Sequence, residues 1–297
     1  MLRIEGSPQL VIVGHLGTDA TEGAEGKVAS KMGGAAYFSA VGASLIETCH
    51  TAVVGRVGAD DKGPDIVHQL AEFGLDTTGI EIVKAGRTAH FEQREDDRAR
   101  RSNFKHKLGV SGEVTTLGMP LGFIDAKWFH LPTAPPEQLY QWVGELRTQG
   151  VSPRHISVDT FETYVRKFPD LTAKVMNSVG LVFLNGAEFG LLVDHFGSDF
   201  FKRFPYVLKL GKNGAQYVDT PHNIKIAIPV IPLPRIESTG AGEVLAGFFN
   251  AARVSGMSVT EALRFGVWAG GFSIIKPGVD HIAKISYSGN RSNGKSK

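Results

Sequence analysis

The stretch Glu237-Ser238-Thr239-Gly240-Ala241-Gly242-Glu243-Val244-Leu245-Ala246-Gly247-Phe248 decides how this sequence is interpreted. It follows a proline-spaced run, residues 226–233, that predicts a strand. It precedes an apolar-periodic run that predicts a helix. A hydroxyl residue followed by small residues and an acid is typical of a helix start. We therefore expect a strand-to-helix turn in this stretch.

The small residues of this turn predict an anion site. Gly240, Ala241 and Gly242 fall in the first helical turn, where amides lack intrahelical partners and the helix dipole is positive. Such a turn suits the charge on a phosphoryl group in transfer, and Glu243 is close enough to act as a base. The other interpretation is a tight turn whose glycines serve packing, because a short glycine motif is weak evidence alone.

Length and composition are those of a globular protein. The chain has 297 residues, enough for one large α/β domain or two smaller ones. Hydrophobic residues make up 42% and charged residues 21%. The 32 basic and 30 acidic side chains nearly cancel, so the charge gives no reason to expect a nucleic-acid partner.

Cysteine usage and hydropathy favour a cytoplasmic protein without membrane contact. Cys49 is the single cysteine, which excludes an internal disulfide, and its strand-like surroundings predict a buried, inert thiol. The first residues lack the basic and apolar regions of a signal peptide. No apolar run approaches the roughly 18 residues of a transmembrane helix.

From about residue 126 onward, short apolar strands alternate with helical runs. This alternation predicts a parallel sheet with helices on both faces, and ligands in such sheets bind outside the carboxyl ends of the strands. The predicted strands are residues 128–131, 155–159, 181–184 and 206–210; the predicted helices are residues 136–148, 171–177, 186–195 and 259–275.

Two positions in the N-terminal part are candidates for binding a small molecule. Asp19 lies just beyond a predicted strand, residues 9–13, where an acid suits hydrogen bonding to hydroxyls, although the residues alone favour an ordinary turn. Gly33 and Gly34 open a predicted helix and let a ligand approach the backbone. Two further predicted strands, residues 88–94 and 101–107, flank a charged turn.

Two motifs at predicted strand ends are candidates for binding phosphate and metal. Asn185 and Glu188 lie three residues apart, where they could share a magnesium hydration shell or simply form a helix cap. Lys209 begins a glycine-containing turn with Gly211 and Gly214. Its ammonium could meet a phosphate as a point charge, and a surface lysine is an equal alternative.

Residues 237–243 resemble the C-terminal signature of the ribokinase-like (PfkB) family of carbohydrate and nucleoside kinases, which usually reads Asp-Thr-x-Gly-Ala-Gly-Asp. The chain has Glu243 in place of the last, catalytic Asp, and Glu237-Ser238 in place of the first pair. The resemblance extends over roughly residues 9 to 280 and includes the Gly-Gly pair, residues 55–63 and the Asn-x-x-Glu motif. Phe38 and Lys209 stand where the family usually has Asn and Thr.

The resemblance implies an α/β ribokinase-like fold. Its central sheet is mainly parallel and flanked by helices on both faces, and a small β-sheet forms a lid. We expect a kinase domain at residues 1–283, with lid strands from about 14–32 and 84–108, and a flexible tail at 284–297. A Walker A pattern at residues 289–296 lacks a following helix and is not interpreted as a P-loop. The edges of the lid make a homodimer plausible.

The resemblance also implies roles for individual residues in ATP-dependent phosphorylation of a hydroxyl of a sugar or related small molecule. Glu243 would be the base, and Gly240, Ala241 and Gly242 the anion hole. The remaining assignments are Asp19, Gly33 and Gly34 to the acceptor, Asn185, Lys209, Gly211 and Gly214 to ATP, and Glu188 to Mg²⁺ through water. With Glu237-Ser238 at the family's monovalent-cation site, the need for potassium stays open.

Two alternatives remain open from the sequence. A nucleoside kinase of the same fold would want aromatic stacking, for which Tyr37, Phe38 and Phe91 are candidates, each equally suited to the core. A catalytically impaired binding or regulatory protein would also fit, because Glu243 lengthens the arm of the base by one methylene, about 1.5 Å, and a displacement of about 1 Å can lower a rate roughly 100-fold.

Overall fold

The computed structural model describes residues 6–23, 26–27, 31–95, 101–234, 236 and 238–283. Four features of the sequence lie outside the described residues: the expected flexible tail, the Walker A pattern, most of the charged turn between the lid strands, and Glu237.

Within these residues the chain forms fourteen strands and eight α-helices. The strands are β1 Leu10–Val13, β2 Gly17–Gly23, β3 Gly26–Lys27, β4 Lys31–Gly33, β5 Thr51–Gly58, β6 Asp76–Val83, β7 Ala89–Glu95, β8 Arg101–Lys107, β9 Trp128–Leu131, β10 Ile156–Asp159, β11 Leu181–Asn185, β12 Tyr206–Lys209, β13 Ala215–Asp219 and β14 Ile224–Ile228. The helices are α1 Ala35–Ser44, α2 Gly63–Glu72, α3 Pro136–Thr148, α4 Glu162–Lys167, α5 Pro169–Met176, α6 Gly186–Phe196, α7 Ala241–Val254 and α8 Val259–Ser273.

Nine strands form the large sheet in the order β14-β13-β12-β11-β10-β9-β1-β5-β6. The pairs from β12 across to β6 are parallel, and only the β12–β13 and β13–β14 pairs are antiparallel. The chain moves outward from β1 in both directions, so the strand order reverses at β1. The predicted mainly parallel sheet is confirmed, and ligands are expected outside its carboxyl ends near this reversal.

Strand β1 shows why helices cover both faces of the sheet. Its side chains alternate between two cores, because successive residues of a strand point to opposite faces. Leu10 and Ile12 pack in the core that contains α1, α2, α7 and α8. Val11 and Val13 pack in the core that contains α3, α5 and α6. A strand with two apolar faces reads as a continuous apolar run, as this one does.

Helices α1 and α7 pack backbone against backbone. A Cβ atom on Gly247 of α7 would lie 1.8 Å from the carbonyl oxygen of Ser39 in α1. A Cβ atom on Gly42 of α1 would lie 2.2 Å from the carbonyl oxygen of Val244 in α7. Both glycines therefore lack side chains because the neighbouring helix occupies that space, and this contact fixes the position of α7.

The small sheet has the order β3-β2-β7-β8, and β4 pairs with the first residues of β2, Gly17 to Asp19. Two contacts hold it over the carboxyl ends of the large sheet. The hydroxyls of Thr21 in β2 and Thr239 before α7 lie 3.2 Å apart. The ring of Phe104 in β8 meets the ring of Phe161, just after β10, with 5.0 Å between centroids. The predicted second, smaller sheet is thus confirmed.

The strand predicted at residues 226–233 is wrong in its second half. Strand β14 ends at Ile228, and residues 229–234 are irregular. Pro229, Pro232 and Pro234 explain the difference, because proline has no N–H to donate to a strand neighbour. Cys49 is buried, with 7% of its surface exposed, as predicted. Across the described ranges, the helices are too short or too polar to cross a membrane.

We expect Gly247→Ala to destabilise the fold by at least about 2 kcal/mol, because the added methyl group forces α1 and α7 apart. Chemical denaturation followed by circular dichroism measures this change. Gly144→Ala is the matched control, since Gly144 is exposed in α3 and a Cβ atom there meets nothing within 4 Å. The control should be neutral or slightly stabilising. Equal stability of the two variants would contradict the close helix contact.

Candidate functional site

Three neighbouring strands end in polar residues at one edge of the large sheet. Asp159, Asn185 and Lys209 are the last residues of β10, β11 and β12, and the last two are paired in register. Because these strands are parallel and adjacent, the three side chains gather at one place. Asn185 and Lys209 line a cleft of about 1130 Å³ that is also lined by the first turn of α7, by α8 and by residues 230–233.

The first turn of α7 forms one wall of this cleft. Ala241, Gly242 and Glu243 line the cleft, and the N-cap residue Gly240 has no side chain to cap the helix. Gly240 precedes the helix with a φ of 80°, a conformation that glycine adopts without strain. A Cβ atom on Gly240 would also lie 2.4 Å from the ring of Phe38. Packing therefore explains the glycine at position 240, because the ring of Phe38, a core residue, fills the space that a side chain would need.

The Glu243 side chain points toward the end of β9. Its Oε1 atom accepts a hydrogen bond of 3.3 Å from the hydroxyl of Thr133, in the loop after β9. Glu243 is half-buried and borders the cleft. The sequence interpretation missed Thr133. Its position just after a predicted strand was the available signal, because loops at the carboxyl ends of parallel strands form binding sites.

Lys209 forms a buried ion pair with Asp159. Its Nζ atom lies 2.6 and 2.7 Å from the two carboxylate oxygens of Asp159. The Lys209 side chain is 15% exposed and the Asp159 side chain fully buried. The alternative of a surface lysine is wrong. The sequence interpretation also missed Asp159, although it ends a predicted strand on the same sheet edge.

The charges around this pair shift the pKa values of its members. Burial raises the pKa of Asp159 to about 7, with Glu243 and Glu188 adding to the rise and Lys209 opposing it. Burial lowers the pKa of Lys209, but the carboxylates of Asp159, Glu243 and Glu188 outweigh it, so the net shift is upward. Lys209 therefore stays charged beside three acidic groups.

Asn185 and Glu188 form a capping box at the start of α6. The side chain of Asn185 accepts from the Glu188 amide, and the Glu188 carboxylate accepts from the Asn185 amide. The helix-cap interpretation is thus confirmed, and both residues still line the cleft. Burial raises the pKa of Glu188.

The donors present suit a magnesium ion that arrives with a nucleotide. The Glu188 carboxylate already accepts hydrogen bonds from Asn185 and from the Thr160 hydroxyl, so it would reach a metal through water. In the described part of the chain, no group of three acidic, histidine or cysteine side chains could hold an ion by itself. Magnesium usually keeps several waters and takes its other ligands from phosphates, which fits this arrangement.

The residues expected to bind the acceptor lie together, but away from the cleft lining. The amide of Gly34 donates a hydrogen bond of 2.6 Å to Oδ2 of Asp19. A Cβ atom on Gly33 would lie 1.8 Å from the same oxygen, so only glycine fits. Asp19 lies within strand β2, which excludes the ordinary-turn alternative. None of the three lines the cleft, whereas Gly211 and Gly214 do.

Aromatic rings form a shelf where the small sheet meets the large one. Phe104 and Phe161 line the cleft, and the ring of Phe91 stacks behind Phe104 at 6.4 Å between centroids. Tyr37 and Phe38 instead lie in the core. Of the three aromatic candidates from the sequence, only Phe91 joins this shelf. Phe104 and Phe161 were missed, because a strand with few apolar residues gives no sign of which ring faces a cleft.

His130 is buried behind the cleft. Its Nδ1 atom lies 3.0 Å from the hydroxyl of Ser157, and its Nε2 atom has no partner among the described residues. Burial lowers the pKa of His130 to about 3, and the positive charge of Lys209 adds to this shift. The imidazole is therefore neutral in the folded protein at any pH near neutrality.

Comparisons with known proteins agree on one family. The model of the pfkB family carbohydrate kinases matches residues 131–285. A cytidine kinase of Thermococcus kodakarensis is 27% identical over 273 residues, which cover 87% of this chain and 93% of that protein. Its sequence is thus similar along nearly the whole length.

Solved structures share the fold at low sequence identity. A nucleoside kinase of Burkholderia thailandensis in complex with inosine has a TM-score of 0.78 at 18% identity, covering 92% of this chain and 93% of that one. A protein assigned as ribokinase II of E. coli, in complex with ATP and Mg²⁺, has a TM-score of 0.75 at 17% identity, covering 92% and 95%. The ribokinase-like fold expected from the sequence is confirmed.

We expect His130 to make the protein acid-sensitive. Its pKa is about 6.5 in the unfolded chain and about 3 in the folded one. Between these values the unfolded chain binds the extra proton, so stability falls as the pH falls, by about 1.4 kcal/mol per pH unit. His130→Leu should remove this contribution, and urea unfolding at pH values from 7 to 4.5 measures it.

The control for this experiment is His68→Gln, which changes an exposed histidine. It should leave the pH dependence of the free energy of unfolding as in the unaltered protein. If His130→Leu loses stability on acidification as steeply as this control, the buried neutral imidazole is not the cause.

Proposed function

The chain belongs to the pfkB family of carbohydrate kinases and is a phosphotransferase, and on that premise we propose that it transfers the γ-phosphoryl group of ATP to a hydroxyl of a small molecule, with Glu243 as the base. The observation that carries this proposal is the first turn of α7, which has no side-chain cap from its N-cap residue Gly240 and borders one cleft together with the Glu243 carboxylate. An anion site and a base side by side are what this reaction needs.

In the proposed reaction the acceptor hydroxyl gives its proton to Glu243 as its oxygen attacks the γ-phosphorus. A new oxygen–phosphorus bond forms, and the bond to the bridging oxygen of ATP breaks, so that ADP leaves. Negative charge on the transferring group is stabilised by the amides of Ala241 and Gly242. The Thr133 hydroxyl holds the Glu243 carboxylate in place.

ATP would lie along the part of the cleft that Asn185, Gly211 and Gly214 line. A bound magnesium ion would offset the charge of the phosphates, with Glu188 reaching it through water. Asp19, with the Gly33-Gly34 turn, would hold hydroxyls of the acceptor under the small sheet. Because Glu237 lies outside the described residues and Ser238 borders the cleft, a role for potassium is left to experiment.

A nucleoside is the acceptor that the cleft favours over a simple sugar. The rings of Phe104 and Phe161 offer a planar base a stacking surface in the cleft that Glu243 also lines. Base–aromatic stacking contributes roughly 1–3 kcal/mol per base. The cytidine kinase relative and the nucleoside kinase in complex with inosine agree with this choice.

Several broader expectations stay part of the proposal. The reaction would take place in the cytoplasm, without nucleic-acid or membrane partners. The small sheet has β3 and β8 as edge strands, and a second copy of the chain covering such an edge would form a homodimer. The alternative of a binding protein without activity predicts ATP binding and no turnover on any acceptor.

We expect Glu243→Gln to lower kcat by about 10²- to 10⁴-fold, because the amide cannot accept the proton of the acceptor. The assay follows phosphoryl transfer from labelled ATP with Mg²⁺, with and without K⁺, over a panel of nucleosides and sugars. Glu72→Gln, at an exposed position of α2, is the control and should keep full activity. ATP binding measured by calorimetry should be similar in both variants.

Two outcomes would contradict this proposal. Unchanged activity in Glu243→Gln would exclude Glu243 as the base. Absence of turnover on the whole panel, with ATP still bound, would favour the binding protein.

We expect Phe104→Leu to lower kcat/KM for the preferred nucleoside by roughly 5- to 150-fold, in line with the loss of one stacking contact. The free sugar of that nucleoside should be phosphorylated at an unchanged rate, since it has no base to stack. Phe168→Leu changes a half-exposed ring that does not line the cleft, and it is the control. Equal losses for nucleoside and sugar would show that the ring does not recognise a base.

A further inference from the structure

An ammonium group lies directly under the turn that forms the anion site. If Gly242 had a Cβ atom, that atom would be 3.1 Å from Nζ of Lys209 and 3.3 Å from its Cδ. The stem of Lys209 therefore packs against the backbone of Gly242. A side chain at position 242 would force the lysine to shift by a few tenths of an ångström. The glycine therefore leaves room for Lys209 on one side and for a ligand in the cleft on the other.

Asp159 holds the ammonium in this place. Both of its carboxylate oxygens bind Nζ, at 2.6 and 2.7 Å. The carboxylate is itself fixed, because the amide of Thr160 donates a hydrogen bond of 2.9 Å to Oδ1. The Asp159 side chain is fully buried, and the neighbouring backbone amide fixes it. The lysine that binds it therefore has one well-defined position.

The ammonium keeps donor capacity for the cleft. A lysine ammonium has three N–H groups, and two of them bind Asp159. Lys209 also lines the cleft and retains some exposure. The third N–H is thus available to an oxygen of a phosphoryl group that sits at the first turn of α7.

The charges around Lys209 favour an anionic ligand that is bound to a cation, as ATP is bound to Mg²⁺, over a free anion. Asp159, Glu188 and Glu243 all act on Lys209 electrostatically, so the four groups carry more negative than positive charge. His130, on the same side of the sheet, is neutral and adds no charge. Arg166 and Lys212 also line the cleft, and Lys209 is the cation that lies against Gly242 and interacts electrostatically with Glu243.

Stability alone does not account for the pair. Burying two opposite charges is often no better for folding than burying apolar residues of the same volume, because desolvation offsets their attraction. A buried pair at the bottom of a ligand cleft, with one member reaching the cleft, is the arrangement found at functional sites.

We propose that Lys209 is a catalytic residue that completes the anion hole of α7, and that Asp159 is the positioning residue that holds Lys209 there. This inference rests on the proposed phosphoryl transfer. In that reaction Lys209 donates to the transferring group beside the amides of Ala241 and Gly242. Asp159 touches neither ATP nor the acceptor and acts through the lysine.

Three variants test the proposal: Lys209→Met, Asp159→Asn and the double variant. Lys209→Met removes the ammonium and leaves a stem of similar length, and Asp159 can then take up a proton, so the protein should fold. We expect kcat to fall by about 10²-fold with little change in the KM of the acceptor, the effect of losing one anion-hole donor.

Asp159→Asn and the double variant separate positioning from folding. Asp159→Asn leaves a buried ammonium without its partner, so its midpoint of thermal unfolding should fall and its kcat should also fall. The double variant should regain the thermal midpoint and keep the low kcat of Lys209→Met. Recovery of kcat together with stability would overturn the proposal, since the pair would then be purely structural.

The matched control is Lys202→Met, which breaks a surface pair in which Nζ lies 2.7 Å from Oδ1 of Asp199. It should leave kcat and the thermal midpoint unchanged. A kcat for Lys209→Met within about twofold of this control would also overturn the proposal.

A binding measurement keeps this inference distinct from the proposed function. Calorimetry with Mg²⁺-ATP and with AMP should show that Lys209→Met weakens the binding of ATP but not of AMP. If the unaltered protein turned over no acceptor, the proposed function would fail while this difference supported the lysine's contact with the terminal phosphates. Equal weakening of both nucleotides would overturn the lysine's role, whether or not the protein is active.

Discussion

The contact between α1 and α7 is the constraint on which the site depends. Gly42 and Gly247 let the two helix backbones touch, so α7 has a single position across the face of the large sheet. That position brings its first turn to the carboxyl ends of β9 and β10, where Glu243 meets Thr133. A shift of α7 would displace the amides of its first turn together with Glu243. Phosphoryl transfer tolerates little displacement of the groups that act on the reacting atoms.

The parallel sheet supplies the other half of the site. Because β10, β11 and β12 run in the same direction, their last residues lie side by side without any motif in the sequence linking them. Asp159 and Lys209 are 50 positions apart and bind each other, and Lys209 also meets the Gly242 backbone. The fold therefore joins an acid, a cation and a helix start that are dispersed along the chain.

Local sequence patterns predicted the strands and helices well, but they predicted contacts between distant side chains poorly. Strand β9 and helix α3 have the predicted bounds, since apolar periodicity and the prolines mark them clearly. The run before α7 was misjudged, because its prolines suit an irregular segment as well as an edge strand. The ion pair was not foreseen, since the sequence shows two charged residues and not the register that joins them. Lys209 was expected at a phosphate or on the surface, and its burial follows from Asp159.

Two of the residues that differ from the family's usual pattern, Glu243 and Lys209, interact electrostatically, which bears on whether the site is active. Glu243 has a longer arm than aspartate, and Lys209 is a cation where a hydroxyl is usual. A longer carboxylate needs more to hold it, and Thr133 and the charge of Lys209 supply this. Because Lys209 packs against Gly242 and interacts electrostatically with Glu243, a change at either position alters the surroundings of the other. The two changes are thus better understood as one coupled arrangement than as two separate losses.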